Sequence, residues 1–297
     1  MKLRSPDYKD MDEWQAREDF KKRLENYERA YQTLGEDDEE DGIQYCKLIN
    51  VGKKVIAYNI QGYLAGQCIF YLMNFNLSPR CIWLTRHGES VDNLVGKIGG
   101  DAPLSPRGKR YGDCLSRFIQ HQRQENEKSR RVEAEAGMAI SPLRERTVAV
   151  WTSMLTRTKE TVEGFDPKEY DIKHIRFLNE IYAEKEYPEE FEARRVNKLF
   201  YRYPGMGGES YLDVIQRLNP LIIELERMTS DLLIVTHRVV LRILLGYLMD
   251  IDRSKMPEMD VHLHTLYCVE PKPHGTVVKK YRWDEELDWF MEEPVDK

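Results

Sequence analysis

Short apolar runs alternate with amphipathic stretches from residue 81 onward. Residues 81–85, 148–151 and 232–235 are almost entirely apolar, which is typical of strands that are buried on both faces of a sheet. Between these runs, apolar side chains recur three and four positions apart, which predicts helices. Strands that alternate with helices in this way indicate an α/β fold with a mostly parallel central sheet and helices on both of its faces.

Local signals mark two helix starts in this half of the chain. Ser105 followed by Pro106 predicts an N-cap and the first helical residue. Ser210 and Asp213 have the spacing of a capping box, which predicts a second helix start. The polar and charged residues 121–135 predict an insertion between a helix and the next strand.

The first eighty residues follow a different pattern. Their apolar side chains predict a helix, a β-hairpin and a second helix, over residues 10–31, 45–60 and 62–74. The Ser78-Pro79 pair then interrupts the pattern. We therefore predict a helix-hairpin-helix unit over residues 1–79, followed by an α/β domain over residues 80–297.

Composition narrows the class of protein. The chain of 297 residues has a formal net charge of −6, whereas nonspecific nucleic-acid binders are normally basic. Neither a long apolar run nor the apolar core of a signal peptide is present, so we expect no membrane partner. The five cysteines form no Cys-x-x-Cys pair, which favours reduced thiols in the cytoplasm over a disulfide framework or a cysteine zinc site.

Basic and imidazole side chains follow the end of each predicted strand. Arg86 and His87 follow the first strand, Arg157 follows the second, and His237 follows the third. Because ligands bind outside the carboxyl ends of strands in open α/β sheets, we expect these residues to meet in one crevice. Such a cluster suits a phosphoryl group, whose equatorial oxygens carry charge in the transition state.

The same residues suggest a mechanism. An imidazole of ordinary pKa, about 6.5, is mostly neutral at pH 7, so His87 is a candidate nucleophile that would form a phosphohistidine. Arg86 and Arg157 would hold the phosphoryl oxygens with forked donors, and His237 would donate to the same oxygens. A carboxylic acid is still needed to protonate the leaving alkoxide and then to activate water.

Each of these residues also has an ordinary structural explanation. A single histidine after a strand, such as His237, is more often structural than catalytic, and Arg157 alone would be assigned to an ion pair. His262 and His264 alternate along a predicted strand without a carboxylate at metal-ligand spacing, so we interpret them as structural. The chain has no P-loop sequence, which argues against a P-loop kinase. The joint pattern at three strand ends favours catalysis.

The motifs that carry this chemistry resemble a known superfamily. The sequences Arg86-His87-Gly88-Glu89, Thr152-Ser-x-x-x-Arg157 and Thr236-His237 resemble the histidine phosphatase superfamily. Further motifs resemble the 6-phosphofructo-2-kinase/fructose-2,6-bisphosphatase family, among them Leu104-Ser-x-Arg107-Gly-Lys, Leu178-Asn-Glu-Ile181 and Gly208-Glu-Ser-Tyr211. This resemblance implies the histidine phosphatase fold without cofactor or metal. It also implies that residues 1–79 are the end of a kinase domain that lacks its nucleotide-binding core, so kinase activity is not expected.

The resemblance also implies roles for single residues. His87 would be the phosphorylated nucleophile, and Glu180 would be the general acid and base. Arg86, Asn93, Arg157 and His237 would surround the transferred phosphate. The other residues implied to bind substrate are Gly99, Arg194, Lys198, Tyr211, Arg238 and Arg242, of which Arg194, Lys198, Tyr211 and Arg242 would bind the sugar's other phosphate.

The chain departs from the family pattern in two places. After Ile181, it lacks roughly ten residues, about three turns if helical, that contain a substrate-contacting tyrosine in the family. Arg238 stands where the family typically has glutamine.

The function that the resemblance implies is hydrolysis of the 2-phosphate of fructose 2,6-bisphosphate to fructose 6-phosphate and phosphate. One alternative is a catalytically impaired regulatory remnant that binds a phosphosugar or pairs with a full-length partner. A second alternative is a broader sugar or glycerate phosphatase or mutase. A homodimer is compatible with each of these functions.

Overall fold

The chain divides into two compact units, residues 1–73 and residues 74–297. The computed structural model describes residues 12–35, 42–49, 54–74, 80–97, 100–135, 147–180, 194–202, 208–272 and 275–295. Among the described residues, no helix combines the length and the apolar character that a bilayer crossing requires.

The first unit contains the predicted helix, hairpin and second helix. Its elements are α1 (Glu13–Ala30), β1 (Tyr45–Ile49), β2 (Lys54–Tyr58) and α2 (Tyr63–Asn74). The Asp12 carboxylate caps α1 by accepting a hydrogen bond from the Trp14 backbone N–H, at 3.2 Å. Strands β1 and β2 pair antiparallel, and the rings of Tyr45 and Tyr58 stack at a centroid distance of 5.5 Å. The turn between these strands, residues 50–53, lies outside the described residues.

The second unit is built on one mixed sheet of seven strands. The strands are β3 (Ile82–Arg86), β4 (Val148–Thr152), β5 (Tyr170–His174), β6 (Leu232–Thr236), β7 (Thr265–Lys272), β8 (Gly275–Asp284) and β9 (Trp289–Glu293). They are arranged in the order β5-β4-β6-β3-β7-β8-β9. The first four strands in this order are parallel to one another, and β7, β8 and β9 extend the sheet with antiparallel pairing.

The predicted strands β3, β4 and β6 are confirmed, and they lie next to one another in the sheet. In the register of β3 with β6, Arg86 lies opposite Thr236, and in that of β4 with β6, Thr152 lies opposite Val235. The carboxyl ends of the three strands therefore reach the same edge of the sheet. This alignment is the structural basis for bringing together side chains that are about 70 to 150 residues apart in sequence.

Helices cover both faces of the sheet, as predicted. Successive strand residues point to opposite faces, so that Leu84 joins one core cluster and Trp83 joins the other. On the Leu84 face lie the helices α6 (Tyr211–Arg227) and α7 (Arg238–Leu248), and on the Trp83 face lies α4 (Pro106–Glu135). Two short helices, α3 (Val91–Leu94) and α5 (Thr156–Thr161), follow the carboxyl ends of β3 and β4.

Both predicted helix starts are confirmed. Ser105 Oγ accepts a hydrogen bond from the Gly108 N–H at 3.1 Å, at the start of α4. Ser210 and Asp213 form a reciprocal capping box at the start of α6, in which each side chain accepts from the other residue's backbone N–H.

Two predictions about secondary structure are wrong. Residues 121–135 are not an insertion, because α4 continues through them to Glu135. Ion pairs between residues one turn apart, such as Glu127 with Arg131, stabilise this exposed part of the helix without an apolar face. His262 and His264 do not lie on a strand, because β7 begins at Thr265 and His264 has a positive φ of 58°.

The loop after β3 crosses the first turn of α4 where both segments have a glycine. A Cβ atom on Gly88 would lie 2.5 Å from the Gly108 carbonyl oxygen, and one on Gly108 would lie 2.1 Å from the Glu89 carbonyl oxygen. The Ser105 N–H also donates to that Glu89 oxygen, at 2.8 Å. Gly88 is therefore approached closely by the backbone of α4.

This crossing generates a stability prediction. We expect Gly108→Ala to lower the free energy of unfolding by about 2 kcal/mol, because the added methyl group overpacks a backbone contact that is held by hydrogen bonds. Gly66→Ala in α2 is the control, since no atom lies within 4 Å of its Cβ position and the substitution gains helix propensity of about 1 kcal/mol. Urea denaturation of both variants measures the difference. Equal midpoints for the two variants would show that the crossing is not tight.

Candidate active site

Two imidazoles face each other at the carboxyl edge of the sheet. His87 follows β3 and His237 follows β6, and their ring centroids are 5.1 Å apart. Both side chains are buried. The backbone N–H of His87 donates to the Thr236 carbonyl oxygen at 3.0 Å, so the neighbouring strand β6 holds the loop that carries His87.

The hydrogen bonds of His87 define its tautomer. Its Nδ1 lies 2.7 Å from the Gly88 carbonyl oxygen, which can only accept a hydrogen bond, so Nδ1 carries the proton. The lone pair is therefore on Nε2. Burial, together with the charges of Arg157 and Arg86, lowers the pKa of His87 well below its ordinary value. The imidazole is thus held neutral, which is the form that can act as a nucleophile.

His237 is held by the loop after β4. Its Nε2 lies 2.8 Å from Ser153 Oγ, and its Nδ1 lies 3.4 Å from Nη2 of Arg157. Because a guanidinium only donates, Nδ1 accepts in this contact and Nε2 carries the proton toward Ser153. Burial, followed by the neighbouring His87 and Arg157, lowers the pKa of His237 well below its ordinary value.

Arg157 and Glu180 complete this group. Arg157 lies in the first turn of α5 and is only 3% exposed. Its Nη1 donates to the Gly100 carbonyl oxygen at 2.8 Å, and its Nη2 contacts the Glu180 carboxylate closely. The same carboxylate lies 3.7 Å from Nδ1 of His237. The four residues His87, His237, Arg157 and Glu180 therefore form one connected group in space.

Arg86 brings a second guanidinium to the edge of the sheet. It is the last residue of β3, and its Nη1 donates to the Val261 carbonyl oxygen at 3.2 Å. Its Nε is buried and has no hydrogen-bond partner among the described residues. Burial, and then the charge of Arg238, lowers the pKa of Arg86 to about 10. A guanidinium in these surroundings would be stabilised by an anion.

The other residues that the resemblance implied take part in several different contacts. Tyr211 and Arg242 form a buried pair, in which Arg242 Nη1 donates to the Tyr211 hydroxyl at 2.9 Å and Nε donates to the Met259 carbonyl oxygen at 2.6 Å. Arg242 is therefore not a solvated surface charge. Lys198 instead pairs with the exposed Glu258 at 3.0 Å.

Asn93, Arg194, Arg238 and Gly99 also belong to the substrate-binding residues that the resemblance implied. Asn93 is the capping-box partner of Ser90 in α3, and its Oδ1 accepts from the Ser90 N–H at 2.9 Å. Arg194 is half-buried in a short helical turn, residues 194–196, and its charge contributes to lowering the pKa of Arg238. Arg238 is exposed at the first position of α7. Gly99 lies outside the described residues, as does the shortened segment after Glu180.

Three residues that position the site were not assigned to it in the sequence analysis. Ser153 contacts His237, and Thr161 Oγ1 accepts from the Gly88 N–H at 2.9 Å. Nε2 of His264 accepts from the Glu89 N–H at 3.1 Å, and burial lowers the pKa of His264 to about 3, which keeps it an acceptor. The only sequence signal for Ser153 was its place in the Thr152-Ser-x-x-x-Arg157 motif.

One group of side chains among the described residues could hold a metal ion. The ligand atoms of Cys81, Cys268 and Glu270 all lie within 4.8 Å of one another, although the sequence spacing of the cysteines had argued against a metal site. Both thiols are buried, and the Glu270 carboxylate pairs with Lys272 at 3.1 Å. This group lies at the amino end of β3, opposite to the end that carries His87.

Two family models match the chain. Residues 1–79 match the model for 6-phosphofructo-2-kinase, and residues 82–284 match the model for the histidine phosphatase superfamily (branch 1). The two matches do not overlap, and together they cover most of the chain.

Curated relatives are similar to this chain over nearly its whole length. The chain is 47% identical to 6-phosphofructo-2-kinase 1 of Saccharomyces cerevisiae over 99% of its own length and 36% of the relative's length. It is 38% identical to fructose-2,6-bisphosphatase of the same yeast, over 94% of this chain and 58% of that protein. It is 37% identical to human 6-phosphofructo-2-kinase/fructose-2,6-bisphosphatase 3, over 94% and 51% respectively. The chain thus spans about half or less of the length of most of these relatives. They confirm the resemblance that the motifs indicated.

A solved structure supports the assignment of the fold. The alpha-ribazole phosphatase from Shigella flexneri superposes with a TM-score of 0.51 at 20% identity, over 67% of this chain and 94% of that chain. With the predicted α/β architecture confirmed and residues 82–284 matched by the family model, the chain belongs to the histidine phosphatase superfamily (branch 1).

Proposed function

We propose that this chain hydrolyses the 2-phosphate of fructose 2,6-bisphosphate, releasing fructose 6-phosphate and phosphate. The observation that carries the proposal is the neutral His87, which has its lone pair on Nε2 and lies against His237 and Arg157. The relative named fructose-2,6-bisphosphatase supports the choice of substrate. The buried Tyr211–Arg242 pair supports it further, because a second cationic group suits a substrate with two phosphates.

The proposed reaction has two steps. In the first, Nε2 of His87 attacks phosphorus, the bond from phosphorus to the C2 oxygen breaks, and the protonated Glu180 gives its proton to that oxygen. In the second, the Glu180 carboxylate takes a proton from water, whose oxygen attacks phosphorus and releases the imidazole. Arg86 and Arg157 stabilise the equatorial oxygens in both steps.

Substrate binding has electrostatic consequences in this proposal. Arg157 Nη2 contacts Glu180 in the structure, and the phosphoryl oxygens would compete for the same donor. An anion between the rings would also favour the protonated form of His237, since an opposite charge nearby favours the charged form of a base. His237 could then donate to a phosphoryl oxygen.

We also propose the division of the chain at residues 1–79 and 80–297, and a cytoplasmic location. The ends of the two family matches support the division. The five unpaired cysteines support a reducing compartment.

A second candidate function is that of a regulatory domain that binds a phosphosugar without turnover. It is favoured by the relative named only as a 6-phosphofructo-2-kinase, which is the most similar of the three proteins compared above. Substrate binding without phosphate release by the full chain would support this function. Sedimentation analysis of the full chain would test separately for a homodimer.

A broader phosphatase or mutase is distinguished by its substrates. Comparable rates of phosphate release from fructose 2,6-bisphosphate and from simple sugar or glycerate phosphates would support that third function.

The nucleophile is tested by its removal. We expect His87→Ala to lower phosphate release by at least about a thousandfold, since the covalent step has no substitute. Acid-labile label from the 2-phosphate should appear on the wild-type protein after brief mixing and should be absent from the variant. His121→Ala is the control, because His121 is exposed and packs against Trp289 away from the site. Full turnover by His87→Ala would exclude the mechanism.

The general acid and base is tested separately. We expect Glu180→Gln to lower the rate by about 10²- to 10⁴-fold, because the amide can hydrogen-bond to Arg157 but cannot transfer the proton. Glu169→Gln, which changes an exposed carboxylate beside Arg123, is the control and should retain full activity. Steady-state assays and the rate of decay of labelled His87 measure both effects. An unchanged rate in Glu180→Gln would assign the proton transfers to another group.

The protonation of the two buried imidazoles is measured by NMR. Because burial lowers the pKa of both His87 and His237, we expect their ring nitrogens to remain neutral as pH falls through about 6.5, the ordinary imidazole value. Long-range ¹H–¹⁵N spectra should also show the Nδ1–H tautomer for His87. His87→Gln and His237→Gln identify the two sets of signals. Titration of either ring at its ordinary pKa would contradict the arrangement.

The same shifts have a consequence for stability. The neutral imidazoles of the folded chain become charged on unfolding below pH 6.5, so the unfolded state binds more protons there. The stabilisation that these two neutral imidazoles give the folded chain is therefore complete above that pH, and it decreases as the pH falls below it.

A further inference from the structure

Two cysteines and a glutamate share one face of the sheet, at the edge away from the histidine pair. In the antiparallel register of β3 with β7, Trp83 lies opposite Cys268 and Ile82 lies opposite Val269. When this register is continued by one residue, Cys81 faces Glu270. Because side chains alternate between the two faces of a sheet, Cys81, Cys268 and Glu270 all lie on the Trp83 face. Strand pairing thus brings together two thiols and a carboxylate that are far apart in sequence.

The two thiols are adjacent and buried. Cys81 and Cys268 belong to the core cluster that contains Trp83 and Tyr281, and neither forms a disulfide. A hydrogen bond with the Cys81 thiol, and then burial, raises the pKa of Cys268 far above its ordinary value. The sulfur atoms and a carboxylate oxygen of Glu270 all lie within 4.8 Å of one another. Two unoxidised sulfurs at this separation are a potential ligand pair for a metal ion.

Neighbouring polar groups fix the position of Cys81. The Asp231 carboxylate accepts a hydrogen bond from the Cys81 backbone N–H at 2.9 Å. The side-chain amide of Asn126, in α4, donates from Nδ2 to Cys81 Sγ at 3.6 Å. A hydrogen-bond donor behind a sulfur ligand favours its thiolate form and holds its orientation. Cys81 therefore already has an outer partner of the kind that metal ligands have.

Glu270 supplies the third ligand and the balance of charge. Its carboxylate oxygens lie 3.1 Å from Nζ of Lys272 and 3.9 Å from Nζ of Lys279. Two thiolates, one carboxylate and a divalent cation carry a net charge of −1, which these ammonium groups offset. The Glu270 side chain is 25% exposed, so an ion can enter the group from solvent.

We propose that Cys81, Cys268 and Glu270 bind one Zn²⁺ ion, which replaces the two thiol protons and releases them to solvent. Thiolates select Zn²⁺ over Mg²⁺ and Ca²⁺, and a carboxylate oxygen suits Zn²⁺ better than Cu⁺. In a tetrahedral zinc site, the ligand atoms lie roughly 3.6 to 3.8 Å apart, so small side-chain rotations complete the geometry. Water takes the fourth position, because no fourth potential ligand joins the group within the part of the chain that the structure describes.

The ion would join the two kinds of strand pairing in the sheet. Strand β3 pairs parallel with β6 and antiparallel with β7, and the two sulfur ligands come from the β3 and β7 sides of the second pairing. The site lies at the amino end of β3, whereas His87 follows its carboxyl end. Because the ion binds only where the two strands are paired, it stabilises the folded chain and takes no part in the proposed hydrolysis.

Titration of the reduced, chelator-treated full chain with Co²⁺, followed by Zn²⁺, tests this proposal. The wild-type protein should bind one Co²⁺ with the charge-transfer absorption of a cobalt thiolate and the visible bands of tetrahedral cobalt, and Zn²⁺ should remove both. Cys268→Ser and Glu270→Gln should each weaken Co²⁺ binding at least about tenfold, since even the outer partners of a metal site contribute 10- to 100-fold.

Two controls change the same residue types elsewhere. Cys68→Ser removes an exposed thiol from α2, and Glu293→Gln changes a carboxylate that pairs with Lys280 at 3.1 Å in the neighbouring strands. Both variants should bind Co²⁺ like the wild type. Zn²⁺ should also raise the thermal unfolding midpoint of the wild type and of both controls, but not that of Cys268→Ser.

The partly exposed Glu270 keeps the test decisive if the buried serine substitution prevents folding. Absence of the cobalt thiolate absorption from the wild-type protein, or equal Co²⁺ affinity in the wild type and Glu270→Gln, would overturn the proposal. Labelling of His87 by substrate should occur at the same rate in both proteins. Failure of the proposed hydrolysis would therefore remove the labelling and leave the metal titration unchanged.

Discussion

Two imidazoles are buried among guanidiniums at the ends of neighbouring strands, and the chemistry available to this chain depends on that burial. A buried imidazole next to positive charge cannot readily take up a proton, so His87 and His237 are held neutral. In the same region, the charge of Arg157 is offset by the Glu180 carboxylate. The site therefore combines a neutral nucleophile with cations that favour an incoming phosphoryl group.

The backbone makes this arrangement possible. His87 is held from three directions: its N–H binds the neighbouring strand at Thr236, its ring binds the Gly88 carbonyl oxygen, and the loop after it crosses α4 at Gly108. His237 is likewise held by Ser153 from the loop after β4. A nucleophile that is fixed in this way loses little orientational freedom when substrate binds, which is a substantial part of catalysis by proximity.

Arg86 lies between two positively charged regions. One side of its environment is the histidine pair, and the other is a cavity that contains Arg238 and Arg282. Because guanidiniums in a region of low dielectric repel one another, an anion that binds on either side changes the field at Arg86.

The sequence by itself determined the centre of the sheet and the residues at its carboxyl edge. Strands β3, β4 and β6 are legible because strands buried on both faces need continuous apolar runs, and parallel pairing places Arg86, His87, Arg157 and His237 at one edge. The helix caps can be predicted equally well from the sequence, because the side chain and the backbone group that it binds are three residues apart. Glu180 was identified only by family resemblance, since nothing in its local pattern distinguishes it from a surface carboxylate.

Only the tertiary structure decided the rest. The strands β5, β8 and β9 have partly exposed faces and no long apolar run, and α4 continues through a polar stretch that ion pairs stabilise. The contact of Glu89 with His264 joins residues 175 positions apart, and the cavity beside Arg86 gathers side chains from α4, α7, β8 and the loop before β7. Such features depend on which segments pack against one another in space, and local sequence patterns do not encode that choice.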